Sequence, residues 1–137
     1  MTGVITKGTL YFAAVFAFAF VMGIARTLIV APRIGATAAV CIEIPIILIA
    51  SWFVARRLLR DRFFSLGQRM IIGAIAFVLT MASEAALSTV LPGASASVWA
   101  ACLVTPLGLL GLAGQIGFAI IPIFAGRVRS SAARSKN

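Results

Sequence analysis

Three ionisable residues, Arg26, Glu43 and Glu84, each stand inside a separate apolar run of about twenty residues. A charge at the centre of a membrane helix costs at least about 2.5 kcal/mol on insertion scales, so each of the three needs a partner or a purpose. Two chemistries fit these residue types. In the first, Arg26 donates to both carboxylates and Arg33 adds a second cation at the mouth, forming an ion-pair latch that fixes helix order. Such buried pairs contribute little net stability, but losing one partner costs about 3–5 kcal/mol. In the second, a carboxylate held away from water exchanges a proton for a substrate. One arginine between two carboxylates leaves room for a shared proton, which keeps that chemistry open.

Enzymatic chemistry finds no support in the residue types. The chain has no histidine, its acidic residues are Glu43, Asp61 and Glu84, and no Ser, Thr or Cys stands beside a recognisable general base. No glycine-rich phosphate loop or metal-ligand spacing is present, so neither a cofactor nor a metal is expected and the protein reads as non-enzymatic. Asp61 sits among Arg57, Arg60 and Arg62, where a solvated salt bridge explains it. Cys41 and Cys102 read as free, buried thiols, with a disulfide between them as the alternative.

The elements that must position these residues follow from composition. The 137 residues are 62% hydrophobic and 11% charged, with a mean hydropathy of +1.13, far from the globular average of roughly 25% charged. The apolar residues fall into blocks at about 10–31, 36–55, 70–91 and 98–118, each long enough for a helix to cross a hydrocarbon layer of about 30 Å. Lipid leaves no donors or acceptors for an open backbone, so the expected fold is an all-α integral membrane bundle of four transmembrane helices in one domain, residues 1–137, with a basic tail at 126–137. Ala17-Phe18-Ala19 has the form of a signal-peptidase site. However, the apolar run continues through Val21, Leu28 and Val30, so the segment reads as the first membrane helix.

The net charge of +9 reads as topology. All of the 12 basic residues except Arg26 and Arg33 fall on one side of an up-down path, in Lys7, the 56–69 loop and the C-terminal tail. The positive-inside rule makes that side cytoplasmic, with both termini inside a bacterial-type inner membrane. The basic loop and tail are suited to anionic lipid headgroups, and nucleic acid is not an expected partner.

An internal repeat is visible. Residues 39–48 align without gaps on 100–109, matching Ala39, Cys41, Pro45 and Leu48 with Ala100, Cys102, Pro106 and Leu109. Proline turns at Ala31-Pro32-Arg33-Ile34-Gly35 and Leu91-Pro92-Gly93-Ala94 precede the two segments. The pattern predicts two hairpins repeated in parallel about an axis along the membrane normal. Pro45 and Pro106 are expected to kink their helices and free the carbonyls of Cys41 and Cys102 toward the bundle interior, near Glu43 and Thr105.

Counted from the turns, Arg26, Glu43 and Glu84 lie at a common depth of roughly 10 Å, so one charged layer is expected. Helical spacing puts Ala39, Glu43 and Ser51 on one inward face, and Gly73, Thr80, Glu84 and Ser88 on another. Gly108, Gly111, Gly114 and Gly117 drift around the fourth helix and predict close packing against several neighbours. Gln115 is expected to hydrogen-bond across helices, and Trp52 and Trp99 to anchor opposite interfaces.

Size and helix count resemble the small multidrug-resistance exporters, which have an essential glutamate in their first helix. Here the first helix carries Arg26 and the glutamates lie in the second and third, so no residue role carries over. The expected function is an oligomeric proton-linked transporter or permeation unit. The alternative is a structural or accessory subunit of a larger membrane complex. Pro45 two residues after Glu43 opens the helix locally, which makes Glu43 the favoured functional carboxylate.

Overall fold

A computed structural model describes residues 1–60, 63–90 and 95–126. The expected Pro92 turn, the Asp61 and Arg62 positions and all of the basic tail after Gly126 lie outside the described residues. Helix α1 (Thr2–Ala25) runs through a π-helical turn (Arg26–Val30) into the short α2 (Ala31–Ile34), and α3 spans Ala36–Leu59. Helix α4 spans Leu66–Val90, α5 Ala96–Leu103 and α6 Pro106–Ala125.

Among the described residues, four stretches are long and apolar enough to cross a membrane: Thr2–Ile34, Ala36–Leu59, Leu66–Val90 and Pro106–Ala125. The protein is therefore a multi-pass, all-helical membrane bundle. Large apolar side chains such as Val21, Leu28, Ile49 and Val78 are exposed on its outer surface, where lipid accommodates them.

The fourth span differs from its expected bounds of 98–118. An unbroken helix through this region would need an amide N–H at Pro106 to bond Cys102. Instead the chain leaves α5 at Val104, and the Thr105 amide and hydroxyl both donate to the Cys102 carbonyl at 3.1 and 2.6 Å. The Thr105 hydroxyl then accepts from the Gly108 amide at 3.1 Å, capping α6, with Pro106 in the first turn. Pro106 thus starts a helix rather than kinking one, whereas Pro45 does lie inside α3. Gly108 is required at the break, because a Cβ there would lie 1.9 Å from the Cys102 oxygen.

The first connection is as tight as expected. Gly35 alone separates α2 from α3, with φ +87°, a conformation that favours glycine. Just before it, Pro32 has no amide N–H for the Leu28 carbonyl, and the helix widens so that the Ala31 amide bonds back to Arg26.

Helix neighbours settle how the hairpins pack. Helix α1 adjoins α3 and α4, and α6 adjoins α3 and α4; among the described residues the α1 and α6 backbones stay apart, as do those of α3 and α4. Equivalent helices therefore lie side by side and parallel. Gly8 of α1 sits against Ile72 and Ile75 of α4, and Gly114 and Gly117 of α6 sit against Ile44 and Leu48 of α3. An axis along the membrane normal would put at least one equivalent pair across the bundle. The two hairpins do share an orientation, but they are related by a lateral shift and not by the expected axis.

The tightest packing is toward the end that holds Met1, Leu59 and Gly126. Tyr11, Val15, Ala55, Ala76 and Phe118 form one buried cluster, and Val4, Leu59 and Ile72 another. Helix α4 approaches α6 so closely that a Cβ on Gly73 would meet the Ala119 oxygen at 2.0 Å. The glycine stripe works much as its drift implies, except that Gly111 faces open space.

Candidate functional site

Arg26 opens the π-helical turn and directs its guanidinium at α3. Its Nε lies 2.6 Å from Glu43 Oε2. The N–H is not aligned on the carboxylate oxygen, so the contact is an electrostatic pair more than a directed hydrogen bond. The Glu43 side chain is 11% exposed and that of Arg26 31%, which leaves the arginine half open to the bundle surface. Pairing within a low-dielectric layer offsets the cost of taking both charges out of water. π-Helical turns of this kind recur at functional sites, since they shift one side chain out of α-helical register.

Glu84 does not join this pair. Its Oε1 accepts from Gln115 Nε2 of α6 at 2.6 Å, in a partly buried contact. The other amide atom, Gln115 Oε1, is buried without a hydrogen-bond partner. Among the described residues no cation pairs with Glu84, and the single ion pair is Arg26–Glu43. The expected charged layer is thus split into two pairs, one in each hairpin. They still share a level, because Gly114 packs on Ile44, and these are the chain neighbours of Gln115 and Glu43.

The remaining expected site residues fall elsewhere. Arg33 is exposed on α2. Thr105 caps α6, about 15 Å along that helix from Gln115. Cys41 and Cys102 are free, but exposed on the outer surface instead of buried. Among the described residues no group of His, Cys, Asp or Glu side chains could hold a metal ion.

Two buried polar residues escaped the spacing argument. The Tyr11 hydroxyl donates to the Phe118 carbonyl at 2.9 Å, and its ring stacks on Phe118 with centroids 4.6 Å apart. Phe118 is four residues before Pro122, so its carbonyl is the one that an interior proline deprives of a donor. Tyr11 replaces the missing N–H. Arg69, expected in a solvated loop, is only 7% exposed in the first turn of α4. It donates from Nε to the Phe64 carbonyl at 3.1 Å and from Nη1 to the carbonyls of Ile123 and Gly126 at 3.2 and 3.3 Å. A cation at the C-terminus of α6 opposes its negative dipole end, and a Cβ on Gly126 would collide with the guanidinium.

No protein-family model, no curated protein and no solved structure matches this chain.

Proposed function

We propose that this protein is a non-enzymatic unit of proton-linked transport or permeation that works as a homo-oligomer, with Glu84 as its proton-binding group. The observation that carries this reading is the Glu84–Gln115 contact. A carboxylate within a membrane span that faces a neutral amide has no fixed counter-charge, so binding and releasing a proton changes its charge state directly. A glutamine side chain serves either state, donating through Nε2 to the carboxylate or accepting through Oε1 from the protonated acid. The orphaned Gln115 Oε1 is the acceptor that the second state needs. Glu43, paired with Arg26, is the less suited of the two carboxylates, which reverses the preference drawn from Pro45. Four spans leave little room for a private pathway, and the exposed apolar faces suit association with further copies. The basic end is taken as cytoplasmic in a bacterial-type inner membrane, where it would meet anionic headgroups.

The Arg26–Glu43 pair favours a second reading, an accessory subunit of a larger membrane complex, because a closed ion pair is what a packing latch requires. Proton flux in proteoliposomes separates the two. Glu84→Gln should leave a folded bundle without proton flux, and Glu43→Gln should retain flux. Wild-type flux in Glu84→Gln would remove the proposed role, and the absence of flux in the wild type together with a stoichiometric larger partner in mild detergent would establish the accessory reading.

A further inference from the structure

At the end opposite the two polar pairs, the last turns of α3 and α6 enclose a groove of about 560 Å³. Its lining includes Arg56, Arg57 and Arg60 together with Trp52, Phe53 and Phe124. Along α3 the groove reads as two turns of different chemistry. Trp52 and Phe53 lie four residues before Arg56 and Arg57, so each aromatic ring stands one turn deeper beneath a guanidinium. Phe53 and Phe124 are 67% and 69% exposed. No carboxylate among the described residues pairs with any of the three arginines.

We infer that this groove is a binding site for an anionic phospholipid, with its phosphate held by Arg56, Arg57 and Arg60 and its acyl chains lying over Phe53 and Phe124. Charge complementarity selects the headgroup: three guanidinia, paired by no carboxylate among the described residues, converge on one cavity, and guanidinium recognises phosphate through paired donors. The aromatic turn selects a lipid over a free phosphate, since an inorganic anion would leave the exposed rings without a partner. The neighbouring helix end would ordinarily repel an anion, because the last carbonyls of α6 carry partial negative charge. Arg69 removes that obstacle by holding the carbonyls of Ile123 and Gly126, the latter residue itself part of the groove wall. Capping α6 is therefore already provided for, and does not draw on Arg56, Arg57 or Arg60 at the end of α3. The site rests on the reading that this end meets a membrane surface, and it narrows general headgroup attraction to one groove.

Delipidated protein in neutral detergent, titrated with phosphatidylglycerol and followed by native mass spectrometry, provides the test. Wild type should bind phosphatidylglycerol saturably and much more tightly than phosphatidylcholine, and millimolar inorganic phosphate should not displace it. The Arg56→Gln/Arg57→Gln/Arg60→Gln variant should lose about a hundredfold in affinity, from the combined loss of three charges near an anionic group. Arg33→Gln, at the other end, should bind as wild type does. A triple lysine variant keeps the charge without the guanidinium fork and should fall between the two, which keeps the test open if the glutamine variant fails to fold. Equal binding by wild type and the glutamine variant would overturn the site, and displacement by inorganic phosphate would overturn the lipid as its occupant. Flotation of both proteins with vesicles reports membrane insertion separately: a glutamine variant that floats but has lost selectivity supports the groove, and a wild type that does not float removes the reading beneath it.

Discussion

In the first hairpin Arg26 meets Glu43 as an ion pair, and in the second Gln115 meets Glu84 as a charge-to-amide hydrogen bond, both at 2.6 Å and at one level of the bundle. The first contact joins two charged groups that depend on each other. Removing either leaves an uncompensated charge in a low-dielectric layer, so the pair resists change. The second joins a carboxylate to a neutral amide, whose loss strands no second charge, so it tolerates change. The two hairpins thus divide the buried polarity of the bundle between a charged pair and a charge-to-amide pair, without two different folds.

The comparison breaks most sharply at Arg26. Arg26→Ala should lower unfolding stability in detergent by about 3–5 kcal/mol, and adding Glu43→Gln should restore much of the loss, because an amide needs no counter-ion. If the double mutant is no more stable than Arg26→Ala, the first hairpin does not hold a dependent pair. The equivalent change in the second hairpin, Glu84→Gln, should cost less than about 1 kcal/mol, since an interhelical hydrogen bond in a membrane averages roughly 0.6 kcal/mol and an amide replaces it readily. A cost as large as that of Arg26→Ala would erase the distinction between the hairpins.

Packing within the second hairpin can be tested next. Gly73→Ala places a Cβ against the Ala119 carbonyl and should cost about 1–3 kcal/mol by forcing α4 from α6. Gly111→Ala, with nothing within 4 Å of the added carbon, should be neutral or stabilising by up to about 1 kcal/mol through helix propensity. Thermal unfolding of the two variants side by side checks both. Tyr11 ties the two hairpins together, and Tyr11→Phe removes the hydrogen bond of that tie. It keeps the stacked ring but leaves the Phe118 carbonyl without a donor, and should cost about 1–2 kcal/mol. No change in unfolding temperature would mean that Pro122 is tolerated without Tyr11.

Much of the fold was legible because lipid permits so few backbone solutions. Runs of apolar residues with charged ends predict helices, and the Pro32 to Gly35 turn predicts a hairpin, as found. The common depth of Arg26, Glu43 and Glu84 was legible too, by counting residues from the turns. Partner choice was not, since depth fixes only the height of a residue and not which neighbouring helix it faces. Its chemistry marks Gln115 as an interhelical hydrogen-bonding residue, but its partner depends on how α6, which starts at Pro106 and not at residue 98, faces α4. That start was hidden because Ala96 to Leu103 is as apolar as the helix after it, and only the Thr105-Pro106 cap divides them. Tyr11 leaves only a weak signal in the sequence: it is the chain's one tyrosine, and Pro122 implies a carbonyl in want of a donor at Phe118. Arg69 left none, because a buried arginine near a helix start has the same spacing as a solvated one in a basic loop.

That each polar pair lies within its own hairpin has a consequence for biosynthesis. Glu43 follows Arg26 out of the ribosome after only the Gly35 turn and part of α3, so the first hairpin can enter the bilayer with its charges already mutually screened. Glu84 likewise meets Gln115 within the next hairpin and does not wait for the first. Neither hairpin has to hold an unmatched group in lipid until the other is made, and the order of synthesis becomes an order of insertion in which each step leaves a tolerable intermediate.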